Sequence, residues 1–130
     1  MIRLLIGENS SQMLAALQRF FDSATDIEIV GQAQESDALM RLVTALRPDV
    51  LLVDLSMTTR ASAKSLASLA ATCACPVIAM SFGADEPSKQ IAAKFGADRL
   101  LDKTDLATDL LPAIRELARS DGRNQPKRTC

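Results

Sequence analysis

The chain has 130 residues, a formal net charge of −1, and 48% hydrophobic against 24% charged residues. This is one globular domain with one core, and its charge balance excludes a whole-molecule attraction for nucleic acid or an acidic membrane. The absence of His excludes Ser-His-Asp and Cys-His catalysis, His-ligated zinc and a histidine phosphoryl relay within the chain; with no Trp or Tyr, the core must be aliphatic and stacking platforms are scarce.

Short apolar runs alternate with helical patterns. Ile2 to Ile6 reads as a strand buried on both faces. Ser10 or Ser11 caps a helix with Met13, Leu14, Leu17, Phe20 and Phe21 at helical spacing. Ile27 to Val30 is a second strand ending near Gly31, and Ser36 or Asp37 opens a second helix that Arg47-Pro48-Asp49 stops. Val50 to Val53 is the most apolar strand, with Asp54 at its C-terminal end. A polar loop from Ser56 to Arg60 leads to an Ala-rich helix around Ser62 to Ala71.

Pro76 to Met80 is the fourth strand, with Ser81 at its end. Pro87 is expected as the first residue of a helix that Gly96 closes. Arg99 to Leu101 forms a short fifth strand before Asp102-Lys103. Because Pro112 is costly inside a helix, the last helix is expected to follow a short turn at 105–108, to be capped by Asp109 and to end near Arg119. The domain is thus expected over 1–119, with a polar, disordered tail over 120–130. The basic residues of that tail read as a solvated end.

Five strands alternating with five helices predict a (βα)5 α/β fold, a doubly wound, five-stranded parallel sheet of the flavodoxin-like kind. Sites in such sheets lie beyond the C-terminal strand ends, which selects Glu8, Asn9, Asp54, Ser81 and Lys103. Glu8 and Asp54 offer hard oxygens that suit Mg²⁺. Asp54 is the natural nucleophile for a phosphoryl group, with Ser81 and Lys103 to bind its oxygens. Singly, Asp54 would cap a loop, Lys103 would be a solvated lysine and Glu8 a solvated loop carboxylate; their joint placement favours the site.

The remaining signals are weaker. Cys73-Ala74-Cys75 lacks a second pair and reads as ordinary thiols, and the odd cysteine count with Cys130 suggests a reducing compartment. The apolar N-terminal run is too short for a signal peptide or a membrane span, so the expected location is cytoplasmic.

The residues Leu46-Arg47-Pro48-Asp49-Val50-Leu51-Leu52-Val53-Asp54-Leu55-Ser56-Met57, with Asp26 to Gly31, Pro76-Val77-Ile78, Phe95-Gly96-Ala97-Asp98 and Leu101-Asp102-Lys103, form a joint pattern. Over roughly residues 2 to 118 the chain resembles the receiver domain of bacterial two-component response regulators, particularly the LuxR/NarL-type branch. The resemblance implies Asp54 as phosphoacceptor, Ser81 as switch hydroxyl and Lys103 as phosphate-pairing lysine. It implies Mg²⁺ held by Glu8, Asn9, Asp54 and the backbone carbonyl of Ser56. It also implies a sensor histidine kinase or phosphotransfer protein as donor, a downstream effector protein, a possible homodimer, no membrane, no direct DNA binding and no enzyme activity.

Departures from the pattern accompany it. Two adjacent aspartates are replaced by Glu8 and Asn9, the residue after the switch hydroxyl is Phe82 instead of a small one, and Leu100 stands where an aromatic switch residue is usual. The alternative reading is a pseudo-receiver, a phosphorylation-independent interaction module. A haloacid-dehalogenase-type phosphatase would want a second Asp where Ser56 stands, and Gly7 to Ser11 is a poor phosphate cradle for a flavodoxin-like cofactor binder.

Overall fold

The computed structural model describes residues 1–58, 75–83 and 85–124. The expected helix around Ser62 to Ala71, the loop beyond Thr58, Cys73 and the final six residues with Cys130 lie outside the described residues. Within them, β1 (Ile2–Gly7), α1 (Ser11–Phe21), β2 (Ile27–Ala33), α2 (Ser36–Leu46) and β3 (Val50–Asp54) follow in order. A 3-10 turn (Leu55–Thr58) closes that half. Then come β4 (Val77–Ser81), α3 (Glu86–Phe95), β5 (Arg99–Asp102), a 3-10 turn (Lys103–Asp105) and α4 (Leu106–Asn124).

The strands form one parallel sheet in the order β2-β1-β3-β4-β5. Successive residues of β3 show why its sequence is uniformly apolar. Val50 and Leu52 face α1 and α4, packing with Leu4, Ile6, Leu14, Leu17, Ile78, Leu110 and Ile114. Leu51 and Val53 face the other way, onto Leu39 and Val43 of α2. A strand covered on both sides has no polar face to show. The strand order reverses between β1 and β3, so the crevice beyond their C-terminal ends is where a parallel sheet of this kind places its site.

Local chemistry sets the helix ends. The Ser10 hydroxyl accepts from the Met13 amide and caps α1. Arg47 ends α2 in the left-handed region (φ 49°). The Arg3 guanidinium satisfies the carbonyls of Leu46 and Arg47 at 2.7 and 2.9 Å, while Asp49 accepts from the Arg3 amide. Gly96 (φ 90°) closes α3, and Asp98 then bonds Val77 through its carboxylate and its amide, both at 2.8 Å. The Gly96-Ala97-Asp98 run therefore pins the turn before β5 to the start of β4.

Several boundaries differ from expectation. β2 does not stop at Gly31 but runs to Ala33, through a register shift opposite Leu4 and Leu5. A Cβ on Gly31 would lie 2.9 Å from Leu46 Cδ1, so this glycine serves a close approach of α2. Pro87 is the second residue of its helix, because Asp85 supplies the cap by accepting from the Ser88 amide at 2.9 Å. The expected polar loop after Asp54 begins as a 3-10 turn.

The last helix is the largest correction. It starts at Leu106 and not after an Asp109 cap, and Pro112 lies inside it. Pro112 and Thr108 are both exposed, so the carbonyl that Pro112 cannot serve sits on the solvent side. Leu106, Leu110, Ala113 and Ile114 are buried at helical spacing, and that stripe outweighs the lost hydrogen bond. The helix also continues through Asn124, past the end expected near Arg119.

Candidate functional site

Glu8 and Asn9 follow β1, Asp54 ends β3, Ser81 ends β4 and Lys103 follows β5. Glu8 is fully buried and Asp54 is 6% exposed, which rules out the solvated-loop reading of Glu8. A buried carboxylate needs a partner. Lys103 supplies it, with its Nζ 2.7 Å from Glu8 Oε1 and 3.5 Å from Asp54 Oδ2. The other Glu8 oxygen accepts from the Ser10 amide at 3.0 Å. The lysine stem is itself buried, its side chain 7% exposed.

Asp54 also shapes its own loop. Its Oδ1 accepts from the Ser56 amide at 3.3 Å and its Oδ2 from the Ser56 hydroxyl at 2.8 Å. This is an Asx-type turn, which positions the carboxylate as it organises the chain behind it. The hydroxyl of Ser56 was not foreseen as a contact; a Ser two residues after a strand-end Asp is the signal that predicts it. The Asn9 side-chain amide donates to Ser56 Oγ at 3.5 Å, the limit of a hydrogen bond, and Asn9 is exposed.

Ser81 is at the rim, but its hydroxyl donates to the Gly83 carbonyl at 2.7 Å, within its own loop. Phe82 is 75% exposed, and the Lys103 ammonium lies 5.1 Å from its ring centroid. Leu100 is half-buried and packs with Ile91 and Ala97 against Leu55, Ala79 and Ala92. Asp102 was also missed. Its carboxylate accepts from the Thr104 amide and hydroxyl, and these bonds, aided by the Gly83 amide, hold it below its ordinary value of 3.8. A cavity of about 340 Å³ adjoins the site and shares Asn9 and Ser56 with it.

The structure therefore brings together a buried nucleophile-type carboxylate, a second carboxylate and one ammonium, at the carboxyl edge of a parallel sheet. A family model described as the response regulator receiver domain matches residues 4–115. The chain belongs to the response regulator receiver domains. It is 32% identical over 117 residues to the Bacillus subtilis protein "Uncharacterized transcriptional regulatory protein YvfU", covering 89% of this chain and 58% of that one. It is 27% identical over 128 residues to the B. subtilis transcriptional regulatory protein LiaR, covering 98% of this chain and 61% of the relative. A Myxococcus xanthus protein-glutamate methylesterase is 34% identical over 113 residues, which are 85% of this chain and 32% of that enzyme. The chain thus matches about three fifths of the regulators and a third of the methylesterase, so the receiver is only a part of each.

The crystal structure of the response regulator domain of Thermotoga maritima CheB superposes with a TM-score of 0.79 at 25% identity, covering 92% of this chain and 97% of that one. The receiver of the putative regulator NarL from Mycobacterium tuberculosis shares the fold at a TM-score of 0.79 and 23% identity, covering 91% of this receiver and 96% of that one. The expected flavodoxin-like receiver fold holds, and receivers of NarL and LuxR-family regulators are among the structures that share it. Among the described residues, no helix of this receiver is long and apolar enough to cross a membrane.

Proposed function

We propose that Asp54 is the phosphoacceptor of this receiver, and that a sensor histidine kinase or phosphotransfer protein is its donor. The observation that carries the proposal is the buried Asp54 carboxylate with the Lys103 ammonium 3.5 Å from Oδ2. An Asp54 oxygen attacks phosphorus, and the bond from phosphorus to the donor's nitrogen or acyl oxygen breaks. The electron pair leaves with the donor, as neutral imidazole from a histidine donor or as a carboxylate from an acyl donor. Lys103 then transfers its charge from Glu8 to a phosphoryl oxygen, and Ser81 exchanges its Gly83 carbonyl for another.

Receiver domains generally bind Mg²⁺ at this site, and the donor types here fit a hard divalent cation. Asp54, Asn9 and the Ser56 carbonyl would hold it, with Glu8 beside them; once bound, it neutralises charge on the incoming phosphoryl group. Both oxygens of Glu8 and both of Asp54 already have hydrogen-bond or ion-pair partners. Two carboxylates and one ammonium leave the pocket at −1, where a second acid at position 9 would make it −2. We therefore expect weaker Mg²⁺ binding than an aspartate pair would give.

Phosphorylation replaces the −1 of the Asp54 carboxylate with a phosphoryl group of about −1.5 to −2, carried further out on the rim. That charge re-presents the α3, β5 and α4 face to an effector protein or a second copy. In this account the receiver is a cytoplasmic switch and not itself an enzyme. Intact mass after incubation with acetyl phosphate and Mg²⁺ tests the proposal. One phosphoryl group is expected on the native chain and none on Asp54→Asn. No gain over a wide Mg²⁺ range, with a phosphorylated donor protein also failing, would point instead to an interaction module that works without phosphorylation.

A further inference from the structure

Phe82 has no role in the chemistry above, yet it is a large apolar side chain left 75% exposed at the mouth of the site. Its ring lies 5.1 Å from the Lys103 ammonium, inside the roughly 6 Å reach of a cation–π contact. The loop carrying it is closed on itself by the Ser81 hydroxyl on the Gly83 carbonyl. Gly83 holds φ 83°, a conformation that a side chain would strain. Lys103 and the 81–83 loop therefore meet through the Phe82 ring.

We infer that Phe82 is a positioning residue for Lys103 and the surface reporter of the pocket: its ring holds the ammonium in the unphosphorylated state and loses it when Lys103 moves to a phosphoryl oxygen. The inference rests on the reading of Asp54 as phosphoacceptor. Ser81 and Phe82 are adjacent, so a hydroxyl that leaves the Gly83 carbonyl opens the loop at the moment its ring loses the cation. Leu100 is poorly placed for this task. Its side chain fills space beside Leu55, Ala79 and Ala92, and turning it outward would leave a void. Phe82 is already outside, where a partner can read it.

The test follows the ε-CH₂ resonances of Lys103 by NMR, assigned as those lost in Lys103→Met. In the native chain the ring shifts them upfield. The shift should vanish in Phe82→Leu, which keeps the bulk at an exposed position, and persist in Phe82→Trp, which keeps the π face. It should also vanish in native protein that intact mass shows to carry a phosphoryl group. The beryllofluoride concentration needed for half-saturation should fall about two- to fivefold in Phe82→Leu and not in Phe82→Trp. An upfield shift that survives Phe82→Leu, or one unchanged in phosphorylated protein, overturns the inference while leaving Asp54 as acceptor. A mass that never gains a phosphoryl group overturns the reading beneath it.

Discussion

At the scale of single residues, the site is an ion pair sealed into the end of a sheet. Glu8 and Lys103 meet at 2.7 Å with side-chain exposures of 0% and 7%. Removing one member of such a pair leaves an uncompensated buried charge, which costs about 3–5 kcal/mol. Lys103→Met should lower the urea unfolding free energy by that amount, while Glu8→Leu/Lys103→Met should recover most of it. Simple additivity of the two single changes would contradict the pairing. Asp54 and Lys103 were legible in the sequence because strand order alone carries them to one edge. The burial of Glu8 was not legible, since a carboxylate after a strand looks the same whether it faces water or a lysine 95 positions away. The orientation of the Ser81 hydroxyl was hidden for a similar reason. A hydroxyl rotor chooses among nearby acceptors, and the choice depends on loop conformation.

At the scale of elements, strand identity came through because β1, β3 and β4 are covered on both faces and read as unbroken apolar runs. Helix ends were harder, and α4 shows why. The rule against an internal proline is local, whereas the buried stripe from Leu106 to Ile114 is tertiary. Pro112→Ala should restore an amide to the helix interior and stabilise the protein, by up to about 3 kcal/mol. An unchanged urea midpoint would mean that the Thr108 carbonyl is fully satisfied without it. At the end of β1 the constraint is space. A Cβ on Gly7 would lie 2.6 Å from Cδ2 of the fully buried Leu39. Gly7→Ala should therefore cost about 1–3 kcal/mol, and Gly7→Ala/Leu39→Val should cost less than Gly7→Ala, measured by thermal or urea unfolding.

At the scale of the whole molecule, the last helix is tied on the exterior to the turn ahead of β2. Arg115 of α4 holds Asp26, ahead of β2, at 2.8 and 3.0 Å. The guanidinium keeps the Asp26 carboxyl below its ordinary value of 3.8. A carboxyl depressed by folding contributes stability that is present above its unfolded value and is lost as pH falls through the folded one. The difference in urea midpoint between the native chain and Asp26→Asn should thus be small, present at neutral pH, and lost in acid as the pH falls below 3.8 and through the lower folded value. A difference that grows on acidification would contradict the pairing. The same view of the molecule explains the site. Helices cover both faces of the sheet, so the carboxyl edge is the place where polar groups from β1, β3, β4 and β5 meet.

The central claim is that Asp54 itself takes the phosphoryl group. Borohydride reduction of the acetyl phosphate-treated protein, followed by peptide mass mapping, tests it most directly, because reduction converts a phosphorylated aspartate to homoserine at the position that carried it. The account predicts homoserine at position 54 and nowhere else. Conversion at another carboxylate, or none in protein whose intact mass has gained a phosphoryl group, would contradict it.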